Sequence, residues 1–88
     1  MRWSVGIEAD GERVFTREEI VSLADAVAAS GGIASGIGTT SYGARLLVEA
    51  PDREKAITLA TAEFRRAAKE AGLPSLPVGR VQAVGEHE

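Results

Sequence analysis

Two stretches of helical periodicity, each opened by capping chemistry and closed by glycine, divide this chain into strand–helix–strand twice over, and this alternation restricts its fold more than any other feature. The first opens at Phe15-Thr16-Arg17-Glu18-Glu19-Ile20, where Thr16 can accept from the Glu19 N–H, Glu19 can reach back to Thr16, and Phe15 can staple onto Ile20. Ile20, Leu23, Ala24 and Val27 then fall within about 100° of helical arc, opposite Glu18, Ser22 and Asp25. Ser30-Gly31-Gly32 ends this helix. The second opens at Pro51-Asp52 with Asp52 as cap, and Ala56, Ile57, Ala60, Phe64, Ala67, Ala68 and Ala71 share one face. Gly72 supplies its terminating residue and Leu73 the apolar companion.

The intervening segments read as strands. Trp3, Val5, Ile7 and Ala9 alternate with Arg2, Ser4, Gly6 and Glu8, the period-two pattern of a strand with one buried face, and Asp10-Gly11 supplies a turn. Trp3 shares parity with Val5 and Ile7 and is expected to anchor the edge of the core. Residues 33–40 form a weakly encoded strand with Ile33 and Ile37 on one parity and Ala34, Gly36 and Gly38 on the other. Ser41-Tyr42-Gly43 reads as the turn that follows, leading to a strand over 45–50 with Leu46 and Val48 inward. Pro74 and Pro77 bracket a connection to a last strand over 78–84, with Val81 and Ala83 inward. One domain over 1–85 is expected, with 86–88 as a frayed tail.

Two strand–helix–strand halves joined by a hairpin resemble the ferredoxin-like split βαβ arrangement. The resemblance implies an α+β domain of βαββαβ order, a four-stranded antiparallel sheet with two helices on one face. A chain of 88 residues supports one core, and 44% hydrophobic with 26% charged residues is a globular balance. With no cysteine, neither disulfides nor thiolate metal sites can reinforce it. No apolar run approaches the roughly 20 residues of a membrane span. Met1-Arg2-Trp3 leads into alternation and not into a secretory core, so a cytoplasmic protein is expected. Arginine outnumbers lysine eight to two, which fits a GC-rich bacterial genome.

The residues that ordinarily carry chemistry are scarce. The glycine-rich run over 30–41 could cradle a phosphate, but no lysine lies before Lys55 to complete a Walker loop, and a strand and hairpin follow where a dinucleotide fingerprint needs a helix. Its small residues are expected to permit close approach of another backbone or a partner. His87 is the only histidine and lies in the expected tail, so no multi-histidine metal site or histidine base can be assembled within one chain. Glu8 and Glu49 share the outward parity of neighbouring strands, where they could pair for acid–base work; Arg2, Arg45 and Arg80 on that face favour cross-strand ion pairs instead. Among ferredoxin-like proteins, acylphosphatases need an asparagine, which this chain lacks, and metal chaperones need paired cysteines. RNA-recognition domains need exposed aromatics where Ser4, Gly6, Arg45, Leu47 and Glu49 stand, and a net charge of −3 also opposes nucleic acid. Arg65, Arg66 and Lys69 interleave with Glu63 and Glu70 at spacings that allow Glu63–Arg66 and Arg66–Glu70 pairs, the signature of a solvated helix face.

What is left is a surface. If both helices cover one face, the other carries Arg2, Ser4, Gly6, Glu8, Ala34, Gly36, Gly38, Thr40, Arg45, Leu47, Glu49, Arg80, Gln82 and Val84. Leu47 and Val84 amid small residues suit a second sheet or a partner protein. The expectation is a non-catalytic module that self-associates, through this face or through the edge of the second strand, with Gly6, Gly36, Gly38, Arg45, Leu47, Glu49, Arg80 and Val84 as its contact residues. No cofactor, metal, nucleic acid or membrane partner is expected. Two alternatives stand beside it. The element order resembles ACT domains, which implies a regulatory ligand bound at the Asp10-Gly11 loop and the start of the first helix. It also resembles dimeric α+β-barrel enzymes, in which paired sheets enclose an apolar cavity for a cofactor-free reaction.

Overall fold

The odd residues of the first strand set the architecture. A computed structural model describes residues 1–11, 14–28, 31–36, 38–74 and 78–86, and in it Trp3, Val5, Ile7 and Ala9 are all buried while Arg2, Glu8 and Asp10 are exposed. The elements run β1 (Arg2–Asp10), α1 (Arg17–Ala28), β2 (Ile33–Ser35), β3 (Ser41–Glu49), α2 (Arg53–Glu70) and β4 (Val78–Gly85). The strands form one antiparallel sheet in the order β2-β3-β1-β4, so the molecule is of the α+β class. β1 is central. Its register with β3 sets Val5 against Leu46 and Ile7 against Ala44, and its register with β4 sets Val5 against Ala83 and Ile7 against Val81. These inner residues join Ile20, Leu23 and Val27 of α1 and Ala56, Ala60 and Phe64 of α2 in one core.

The helices begin and end as their sequences direct. Thr16 Oγ1 accepts from the Glu19 N–H at 3.3 Å while Glu19 Oε1 accepts from the Thr16 N–H at 3.0 Å, the reciprocal capping box. In α2, Asp52 Oδ1 accepts from the Lys55 N–H at 2.8 Å. Both C-termini close in the Schellman pattern: Gly31 at φ +66° and Gly72 at φ +78° turn the chain, Gly32 donates to the Val27 carbonyl, and Leu73 donates to that of Ala68. Leu73 is buried, as its apolar companion role requires. On the outer side of α2, Arg66 donates to Glu63 at 3.1 Å and also pairs with Glu70, while its Nη2 reaches the Ala26 carbonyl of α1 at 3.4 Å. The hydrogen bonds it donates to Glu63, and then to Glu70, hold this guanidinium above its already high range, so it stays charged.

Tyr42 corrects the expected hairpin. The turn assigned to Ser41-Tyr42-Gly43 is strand: β3 begins at Ser41, and Tyr42 continues the inward parity of Ala44 and Leu46. The reason is aromatic packing. Its ring meets Phe15 edge-on at 5.1 Å and stacks on Phe64 at 5.5 Å, and its hydroxyl donates to the Pro74 carbonyl at 2.8 Å. The turn lies earlier, around residues 38–40, where Thr39 Oγ1 donates to the Gly36 and Ser41 carbonyls. Trp3 takes its expected place at the edge of the core, with Nε1 donating to the Ala50 carbonyl at 3.2 Å.

The second strand is shorter than its pattern suggested, and inverted. β2 covers only Ile33–Ser35 where a strand over 33–40 was expected, and its pairing sets Ala34 against inward Ala44 and Ile33 against outward Arg45. Ala34 therefore packs on the core and Ile33 is 71% exposed, the reverse of the expected parity. A three-residue strand has no periodicity of its own, so its partner decides which way it faces. Ile37 falls outside the described residues, as do Ser30, Pro77 and His87. Of the expected tail, Glu86 is held by a 3.0 Å bond from its N–H to the Arg2 carbonyl, and 87–88 lie outside the described residues. Among the described residues no helix is long and apolar enough to cross a membrane.

Candidate functional site

The face of the sheet away from the helices presents its side chains in rows fixed by register. Glu49 stands beside Arg2; Leu47, Ser4 and Val84 form the next row; Ile33, Arg45, Gly6 and Gln82 the next; Ser35, Gly43, Glu8 and Arg80 the fourth, with Ser41 and Asp10 beyond them. The second row is apolar at both ends, with Leu47 45% and Val84 40% exposed, and Ile33 extends this apolar character onto β2. Ser4, between them, adds almost no height.

Gly6 shapes the middle of the face. A Cβ there would lie 3.3 Å from Arg45 Nη2, so the guanidinium lies across the strand where any larger residue would lift it, and Arg45 Nη1 donates to Ser4 Oγ at 3.0 Å. Arg45 is thereby laid flat. Beside it lies a depression of about 330 Å³ lined from all four strands, with Gly6, Glu8, Ile33, Arg45, Arg80 and Gln82 among its lining residues. Arg45 and Arg80 offer planar donors, Glu8 offers a carboxylate, and Gln82 offers both a donor and an acceptor.

Of the contact residues expected from sequence, Gly6, Arg45, Leu47, Glu49, Arg80 and Val84 do share this face. Gly36 and Gly38 do not, and Thr40 is lost from it for the same reason: all three lie in the β2–β3 connection. Gly36, at φ +124°, faces its own chain, since a Cβ would come within 2.4 Å of the Ser41 carbonyl oxygen. The close backbone approach that its size permits is internal. Ala34 faces the core instead. Glu8 and Glu49 share the face without forming a pair. They stand opposite Gly43 and Arg2 near opposite ends of β1, about 20 Å apart at 3.3–3.4 Å per residue, and Glu49 is bound to Arg2 at 3.7 Å. Ile33, which was not expected on this face, joins it beside Arg45, and had no sequence signal for that place beyond its size.

The Asp10-Gly11 loop is committed elsewhere. Gly11 donates to the Thr40 carbonyl at 2.8 Å, Phe15 donates to that of Thr39 at 2.9 Å, and Gly38 donates to that of Phe15 at 3.1 Å. The loop before α1 is thus laced to the β2–β3 connection, and the first turn of α1 is occupied by its own capping box. Among the described residues no three of His, Cys, Asp and Glu gather as a metal site, and no charged side chain is buried. Compared with known proteins, the chain matches no family model, no curated protein and no solved structure.

Proposed function

We propose that this chain is a non-catalytic interaction module that self-associates through the open face of its sheet. The observation that carries the reading is the placement of Ile33, Leu47 and Val84 on one face with charges of both signs around them. A two-fold contact requires a surface that complements itself. Here each copy brings apolar side chains to bury, arginines at 45 and 80, and a carboxylate at Glu8 to meet the arginines of the other. The element order and sheet order together support a ferredoxin-like split βαβ fold, whose helix-free face is left for such contacts. The β2 edge is the weaker candidate, because three residues flanked by positive-φ Gly31 and Gly36 offer little backbone for pairing. A cytoplasmic setting accords with the absence of cysteine.

Sedimentation equilibrium of the wild type and Leu47→Glu tests this. Two carboxylates introduced into an apolar two-fold contact are expected to halve the associated mass, and an unchanged mass overturns the reading.

A second reading, a small-ligand regulatory domain, draws support from the depression, whose volume lies at the lower end of ligand sites. It moves the ligand from the Asp10-Gly11 loop, where the Gly11 and Phe15 N–H groups are engaged, to Arg45, Arg80 and Gln82. Thermal-shift measurement against carboxylates and phosphates is its test: a ligand of the native state must raise the melting temperature, and Arg80→Ala must remove that rise.

A further inference from the structure

The two edges of the sheet are unequal. β2 ends the sheet with three residues, whereas β4 ends it with eight and, among the described residues, has no other strand beyond it. Long edge strands are commonly blunted by proline, lysine or inward charges. β4 has no proline or lysine, and its one charged residue is Arg80. Its irregularity, a register shift opposite Glu8 and Ala9, is confined to its first residues.

Hydrogen-bond alternation identifies which groups face outward. The Glu86 N–H donates to the Arg2 carbonyl, so counting back in twos places the backbone groups of Val84, Gln82 and Arg80 toward β1. Those of Ala83 and Val81 then point away from the sheet, and among the described residues neither meets a backbone partner. Unpaired backbone groups along an edge are a template for another strand.

The strand also complements itself. We infer that β4 pairs antiparallel with β4 of a second copy, centred on Gln82, to give a continuous eight-stranded sheet with both helix layers on one side. This register uses the strand from Arg80 to Val84. It sets half-buried Val81 against the partner copy's Ala83 on the helix side, and Arg80 against Val84 on the open side, so no like charges are opposed. Gln82 meets its own symmetry mate, and two amides can each donate to and accept from the other. The pairing is made by backbone groups of the edge, so it does not require Leu47 and Ile33 of the open face.

The experiment is run in the Leu47→Glu background, which removes the face contact and leaves the edge. Sedimentation equilibrium is expected to find a dimer there, and a monomer overturns the inference whatever the fate of the face. Adding Gln82→Lys opposes two ammonium groups at the two-fold axis on an exposed side chain that folding does not need; dissociation is expected to weaken the dimer at least tenfold, as is Gln82→Glu alone. Mixing the Lys and Glu proteins is expected to restore the dimer as a heterodimer. A dimer that withstands either single charge, or a mixture that stays monomeric, rejects the contact. Val81→Pro removes an outward N–H that the β1 ladder does not use, and is likewise expected to yield a folded monomer by circular dichroism; a dimer that persists counts against the edge.

Discussion

Leu46 and Leu47 are chemically identical neighbours on β3, yet Leu46 is fully buried beneath the helices and Leu47 stands 45% exposed on the open face. The same division runs along β1, where Val5 and Ile7 are buried and Ser4, Gly6 and Glu8 lie on the other side. One face is closed by large interlocking side chains and aromatic contacts. The other is low in the middle, apolar in patches, and lined with charges of both signs. Period-two geometry thus gives the chain two surfaces, one used for folding and one that the helices leave uncovered.

Substitutions on the two faces can break or sharpen this division. The largest expected effect is at Leu46→Ala, which should cost about 2–5 kcal/mol in urea unfolding, because it empties a fully buried site between β1 and the helices. A loss near zero would mean that the covered face is not the core. Gly36→Ala should follow at about 1–3 kcal/mol, since φ +124° and the Ser41 carbonyl both oppose a Cβ. Asp52→Ala should cost about 1 kcal/mol by removing the bond to the Lys55 N–H, a helix-end loss that leaves both faces intact. Leu47→Ala, one residue from Leu46, should change the stability of the dilute protein by no more than about 0.5 kcal/mol. Equal losses at 46 and 47 would erase the distinction.

Where sequence and structure agree, the encoding is local and redundant. Both caps, both glycine terminations and the apolar face of α2 each rest on several residues within a few turns, and the nine residues of β1 give enough alternation to fix its inward face. Where they part, the deciding contacts are distant. Tyr42 beside Gly43 has the look of a turn, and only Phe15 and Phe64, far along the chain, make it a core residue. The parity of Ile33 and Ala34 is imposed by β3, and Gly36 serves the backbone of its own connection where a strand face was expected. Six of the residues on the open face could be placed there because they lie on long strands; Ile33 could not because its strand is short. The flat lie of Arg45 over Gly6 depends on a pairing across 39 residues that no local pattern announces.

The claim that the open face is a self-association surface is tested most directly by the mass of the wild-type protein beside that of Leu47→Glu, measured by sedimentation equilibrium across micromolar concentrations. The account predicts an associated wild type whose mass falls by a factor of two in Leu47→Glu while the melting temperature of the dilute protein holds. A wild type that remains monomeric throughout, or an associated mass that Leu47→Glu leaves unchanged, would contradict it.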